Sequence, residues 1–172
     1  MMQGYVHVYT GNGKGKTTAA LGLALRAVGA GLKVYIGQFI KNADYSEIKA
    51  LERFKGQITL EQFGRGCFIR GNPCDADISA ARTALTAIES ALKSGEFQLV
   101  IADEANVAFG CGLVTEADLL ALMAARRPET ELVLTGRNAP PAVIEQADLV
   151  TEMREIKHYF QQGVLAREGI EK

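Results

Sequence analysis

The sequence predicts an α/β fold: a mostly parallel sheet of about six strands with helices on both faces. Three observations predict it. Short apolar runs of strand character alternate with helix-like runs along the 172 residues. Polar motifs fall at the ends of those runs, where parallel sheets collect their ligands. The first strand-to-helix junction carries the stretch Thr10-Gly11-Asn12-Gly13-Lys14-Gly15-Lys16-Thr17-Thr18, which makes the fold P-loop NTPase-like.

The elements follow in order. Tyr5–Tyr9 is the first strand, and Ala19–Val28 a helix ended by Gly29 and Gly31. Lys33–Ile40 is the second strand, nearly all apolar as a strand buried on both faces must be. A short helix is expected around Ser46–Phe54, then a third strand at Ile58–Phe63. The loop Gly64–Pro73 is rich in glycine, carries two arginines, and places the small apolar patch Phe68-Ile69 between glycines beside Cys67. From Asp75 a helix is predicted, because Ile78, Ala81, Leu85, Ile88 and Leu92 recur at three- and four-residue spacing. Gly95 stops it. Phe97–Ala102 is the fourth strand, ending in Asp103-Glu104. Thr115-Glu116-Ala117-Asp118 is a capping box opening the helix Leu119–Arg126. Glu131–Thr135 is the fifth strand, Pro140-Pro141 start a short helix to about Gln146, and Asp148–Met153 is the sixth strand. A polar tail, Arg154–Lys172, follows. No repeat or linker interrupts the pattern, so residues 1–172 read as one domain.

The bulk numbers exclude several classes. A net charge of −1 gives no general pull toward nucleic acid or acidic membranes. No apolar run approaches the roughly 18 residues of a membrane span. Cys67, Cys74 and Cys111 are odd in number and lack a C-x-x-C pair, so a disulfide framework is not expected. The first strand begins almost at once, with no leader before it, and the expectation is a cytoplasmic protein.

The chemistry concentrates at three strand ends. In the first, glycines let the backbone curl so that successive N–H groups face one anion, and the new helix adds its positive end. Gly11, Asn12, Gly13, Lys14, Gly15, Lys16, Thr17 and Thr18 form this phosphate cradle, with Lys16 as its charge and Thr17 offering a hydroxyl to a magnesium ion. The usual spacing puts the first glycine at position 10, where this chain has Thr10; glycine comes one residue late, and Lys14 is an extra cation. In the second, Leu99–Glu104 has the Walker B form, an apolar strand ending in carboxylates. Asp103 or Glu104 serves a metal opposite Thr17, or Glu104 activates water; spacing does not choose. In the third, Thr135-Gly136-Arg137 places a guanidinium for a phosphate or carboxylate. Asp103-Glu104-Ala105-Asn106 also has the look of a helicase box, but such helicases need two domains of this size. His158 follows Lys157 in the tail, and His7 lies inside the first strand as a structural residue.

These blocks together resemble the short P-loop family of ATP:corrinoid (cob(I)alamin or cob(I)yrinic acid a,c-diamide) adenosyltransferases. The resemblance runs from about Tyr5 to Glu171. It rests on the loop at 10–20, Gln38-Phe39-Ile40-Lys41, Asp103-Glu104 with Asn106, Thr135-Gly136-Arg137, Ala147–Arg154, Ile156-Lys157-His158 and Gly163 through Gly169-Ile170-Glu171. The late glycine is itself part of that pattern. The resemblance implies transfer of the 5′-deoxyadenosyl group of ATP to Co(I) of a reduced corrinoid, with triphosphate released. It implies magnesium or manganese, an electron-donating flavoprotein reductase, and a homodimer. It implies Lys16, Glu104 and Arg137 as catalytic residues, the 11–18 loop on ATP, Thr17, Glu104 and Asp103 at the metal, and Phe68, Lys41 and His158 beside the corrinoid. Members often carry an amino-terminal segment over the active site, whereas this chain begins almost at strand one, and Lys41 precedes Asn42 where the family usually has glycine. Two other functions fit the residues alone. One is a small P-loop kinase or ATPase, the other a non-catalytic nucleotide- or corrinoid-binding module.

Overall fold

The computed structural model describes residues 3–43, 45–65 and 71–171. Its strands are β1 (Val6–Thr10), β2 (Val34–Gln38), β3 (Ile58–Gln62), β4 (Leu99–Asp103), β5 (Glu131–Thr135) and β6 (Leu149–Glu152). They form one six-stranded sheet in the order β3-β2-β4-β5-β1-β6. Every pairing is parallel. The helices are α1 (Lys16–Gly29), α2 (Ser46–Leu51), α3 (Asp75–Ser94), α4 (Ala105–Gly110), α5 (Glu116–Ala125) and α6 (Pro141–Gln146). No helix among the described residues is long and apolar enough to cross a membrane.

Strand residues alternate between two faces, and each face has its own core. Val34, Ile36, Leu99, Ile101 and Val133 pack against Ala20, Ala24, Ala27 and Val28, the stripe that α1 presents at helical spacing. Tyr35, Val100, Ala102, Leu132 and Leu134 face the other way, onto α3 through Ala84, Leu85, Ile88 and Leu92 and onto α5 through Leu119 and Leu122. Two-sided burial is why the strands read as continuous apolar runs and not as alternating ones.

Local signals set the boundaries. Thr115 Oγ1 accepts from the Asp118 N–H at 3.1 Å while Asp118 Oδ2 accepts from the Thr115 N–H at 2.7 Å, closing the capping box of α5. Gly95, at φ 72°, ends α3. Pro141 takes the first turn of α6, where its missing N–H costs nothing. Most boundaries shift by one to three residues, and two differences from the sequence reading are larger in kind. β2 stops at Gln38 rather than Ile40, because Ile40 adopts φ 65°, a left-handed conformation that cannot continue a strand. α4 has no counterpart in that reading, since six residues are too few to display a helical period.

Ile40 (φ 65°), Glu104 (φ 60°) and Asn138 (φ 57°) are the non-glycine residues with positive φ among those described. Each lies just past a strand, after β2, β4 and β5 respectively. Such conformations cost on the order of 1–3 kcal/mol each and cluster where a fold holds a site under constraint. Here all three lie at the carboxyl edge of the sheet.

Candidate active site

The P-loop leaves β1 at Thr10 and enters α1 at Lys16. Its shape is imposed by the tail as well as by its glycines. Met153 N–H donates to Thr10 O at 2.9 Å, and Gly13 N–H donates to Met153 O at 2.7 Å, so the chain just after β6 lies against the loop. A Cβ on Gly11 would come within 2.4 Å of Met153 O, and one on Gly13 within 2.7 Å of the same oxygen. Gly11 also has φ 93°. Gly11→Ala therefore meets both a backbone clash and a disfavoured conformation. It is expected to lower stability by about 2 kcal/mol, read as a lower denaturation midpoint.

Lys16 folds back over the loop: its Nζ donates to Gly11 O and to Gly13 O, each at 2.7 Å. Burial lowers its pKa, and Arg137 nearby lowers it further, while Glu104 acts in the opposite direction. Arg137 is exposed on the turn after β5 and, with Asn12, Glu152, Arg154, Glu155 and Ile156, lines an open cleft of about 590 Å³ beside the loop.

Asp103 is the hub. It ends β4 with 1% of its surface exposed. Among the described residues its Oδ1 accepts from Thr17 Oγ1 at 2.9 Å and Thr135 Oγ1 at 2.6 Å. Its Oδ2 accepts from Gln38 Nε2 at 3.0 Å and Lys41 Nζ at 2.8 Å. Four donors on one carboxylate satisfy it fully, which is what a buried charge requires. They come from the ends of β2, β5 and α1 and from the turn after β2, so the aspartate ties the carboxyl edge together. Burial works against the Lys41 charge, but the Asp103 carboxylate outweighs it and raises the lysine's pKa.

Glu104 behaves differently. Its N–H donates to Thr135 Oγ1 at 3.0 Å, but its carboxylate has no hydrogen-bond partner among the described residues. Burial raises its pKa, and Asp103 adds to this; Lys41, Lys16 and Arg137 pull it down. A desolvated carboxylate with cations around it and no donor of its own is poised to take another positive group. With Thr17 Oγ1 it makes an all-oxygen donor set suited to magnesium, which binds through one or two carboxylates, waters and substrate phosphates. No cluster of three or more His, Cys, Asp or Glu side chains able to hold a metal occurs among the described residues.

The structure brings Lys16, Thr17, Asp103, Glu104, Lys41 and Arg137 to one edge, although they come from four separate segments of the chain. Lys14 is placed elsewhere: its Nζ donates to Ile170 O at 2.5 Å. His158 lies in the tail, where its Nδ1 accepts from the Phe160 N–H at 3.0 Å and caps the short 3-10 turn Tyr159–Gln162. Cys67 and Phe68 lie outside the described residues. Thr135 and Gln38 are roles that the residue-level reading missed. A fully buried glutamine at the end of an apolar strand was the available signal for Gln38, because a buried amide needs partners. Asn106 is also fully buried, its Nδ2 donating to Gly136 O at 3.3 Å.

Comparison with known proteins gives the family. The profile of the family described as ATP:corrinoid adenosyltransferase BtuR/CobO/CobP matches residues 2–171. A corrinoid adenosyltransferase of Pseudomonas aeruginosa is 37% identical over 170 residues, covering 98% of this chain and 84% of its own. One of Sinorhizobium sp. is 34% identical over 172 residues, covering 98% and 80%. One of Escherichia coli K12 is 32% identical over 169 residues, covering 98% and 86%. With a P-loop, a paired-carboxylate strand end and a match along nearly its whole length, this chain belongs to the ATP:corrinoid adenosyltransferase family.

Proposed function

We propose that this chain transfers the 5′-deoxyadenosyl group of ATP to the Co(I) centre of a reduced corrinoid and releases triphosphate. One observation carries the reading: in a chain of this family, Lys16, Thr17 and Glu104 converge on one edge of the sheet around a loop built to hold phosphates. In the reaction the cobalt lone pair attacks the 5′ carbon. The Co–C bond forms, the C5′–O5′ bond breaks, and its electron pair leaves on triphosphate while cobalt goes formally from I to III. Co(I) is already a strong nucleophile, so no side-chain base is needed at carbon.

The protein's task is to position two substrates and stabilise a leaving anion. Lys16 and the N–H groups of the 11–18 loop other than that of Gly13, which is bonded to Met153 O, hold the triphosphate, and Arg137 reaches it from the cleft. Thr17 and Glu104 would hold a divalent ion, magnesium or manganese, which would neutralise phosphate charge when bound. Asp103, committed to Thr17 and Lys41, orients that hydroxyl. Phe68, Lys41 and His158 are assigned to the corrinoid, as the family resemblance implies. Residues 1–172 act as one domain, in a cytoplasmic homodimer supplied with electrons by a flavoprotein reductase.

Incubation of the protein with ATP, magnesium and chemically reduced cobalamin is expected to yield a light-sensitive adenosylated corrinoid and triphosphate, read by absorbance and anion chromatography. Formation of ADP and phosphate with no alkylated corrinoid would overturn this reading in favour of a kinase or ATPase. Tight binding without turnover would favour a carrier.

A further inference from the structure

The polar tail carries a contact that the adenosyl-transfer chemistry does not use. Lys14, in the middle of the P-loop, donates from Nζ to Ile170 O at 2.5 Å and lies 3.6 Å from Glu171 Oε1. These partners are 156 positions apart in sequence. Glu171 is itself held on every side. Its Oε2 accepts from the Arg167 N–H at 2.9 Å and from Arg167 Nε at 3.3 Å, and its Oε1 accepts from Arg167 Nη2 at 3.3 Å and from the Tyr159 hydroxyl. Arg167 in turn stacks over the Tyr159 ring at 5.0 Å. Arg167 and then Tyr159 hold the Glu171 carboxyl down at about 2, so it stays ionised.

Two backbone turns build this cluster. Glu171 N–H donates to Arg167 O at 3.0 Å, with Gly169 at φ 73° between them. Gly163, at φ 80°, ends the turn that carries Tyr159. The chain after β6 therefore touches the P-loop twice: Met153 pins Gly13 through its O, and the end of the tail pins Lys14 through Ile170 O and Glu171.

We propose that Glu171, with Tyr159 and Arg167, is a positioning clip for the P-loop. By holding the tail's last turn against Lys14, it keeps the loop's N–H groups aimed at the ATP phosphates before ATP arrives. This rests on the adenosyl-transfer reading of the same loop. A preformed anion cradle loses less freedom on binding, so the clip acts on ATP affinity and not on the rate of the bound complex.

The test is calorimetric titration of magnesium-ATP into the full chain, with steady-state adenosyl transfer alongside. Glu171→Ala is expected to weaken ATP binding and raise KM for ATP about tenfold, with kcat within about twofold. Tyr159→Phe, a milder change that removes one bond to the carboxylate, is expected to shift KM in the same direction by less. Lys14→Met is expected to weaken binding, and Lys14→Met/Glu171→Ala to bind no more weakly than Lys14→Met, because both act through one contact. Unchanged or tighter ATP binding in Glu171→Ala, or multiplicative losses in the double variant, would overturn the clip and leave the adenosyl-transfer reading standing. Wild-type protein that binds no ATP would overturn both.

Discussion

Lys16→Ala is expected to lower kcat for adenosyl transfer at saturating ATP by about 10²–10³-fold, the range seen when one preorganised donor to a developing anion is removed. The ammonium already sits inside the loop, 2.7 Å from two of its carbonyl oxygens, where it neutralises part of the backbone's own charge. Burial and the neighbouring Arg137 lower its pKa, so a dense anion close by is the group that keeps it protonated. As the C5′–O5′ bond breaks, a full negative charge collects on the triphosphate, and Lys16 is worth more then than in the ground state. The expected signature is a fall in kcat larger than the rise in KM. Lys16→Arg, which retains charge but not the compact geometry, should recover only part of the rate. An unchanged rate at saturating ATP would remove Lys16 from the chemistry.

Asp103→Ala is expected to destabilise the protein by about 3–5 kcal/mol, the cost of leaving one member of a buried ion pair without its partner. Lys41, whose side chain is 16% exposed, would keep its charge with no carboxylate at 2.8 Å, and Thr17, Thr135 and Gln38 would each lose an acceptor. For a domain of this size the loss corresponds to a fall in Tm of roughly 10 °C. Scanning calorimetry without nucleotide reads it. The paired substitution Asp103→Ala/Lys41→Met should be less destabilising than Asp103→Ala alone, since the orphaned charge is gone. A Tm within 2 °C of wild type, a small shift on the same scale, would show that the hub is not structural.

The two residues differ in a way the strand-end pattern did not reveal. Asp103 and Glu104 are adjacent in sequence and chemically alike, and either one suits a metal. In the fold, Asp103 completes β4 and turns inward, where four donors saturate it. Glu104 takes a left-handed conformation that turns the chain into α4 and leaves its carboxylate without a donor among the described residues. The backbone, not the side-chain chemistry, separates their roles. Lys14 gives a parallel case. Beside Lys16 in a phosphate loop it reads as a second cation for the anion, yet its ammonium is bonded to the tail.

What the sequence determined by itself was the local and periodic part. The apolar strand runs, the α3 stripe, the capping box at Thr115 and the glycine loop each depend on residues within a few positions of one another, and each appears in the fold near its expected place. The order β3-β2-β4-β5-β1-β6 was decided by the tertiary structure, as was the meeting of Gln38, Lys41, Thr135 and Thr17 on one aspartate. So was the return of Glu171 to the P-loop. Those contacts join residues from 32 to 157 positions apart, and a single chain's spacing does not encode which distant polar groups will be buried together. Burial makes that choice: once packing shuts out water, each buried charge must find its partners among whatever the fold brings near.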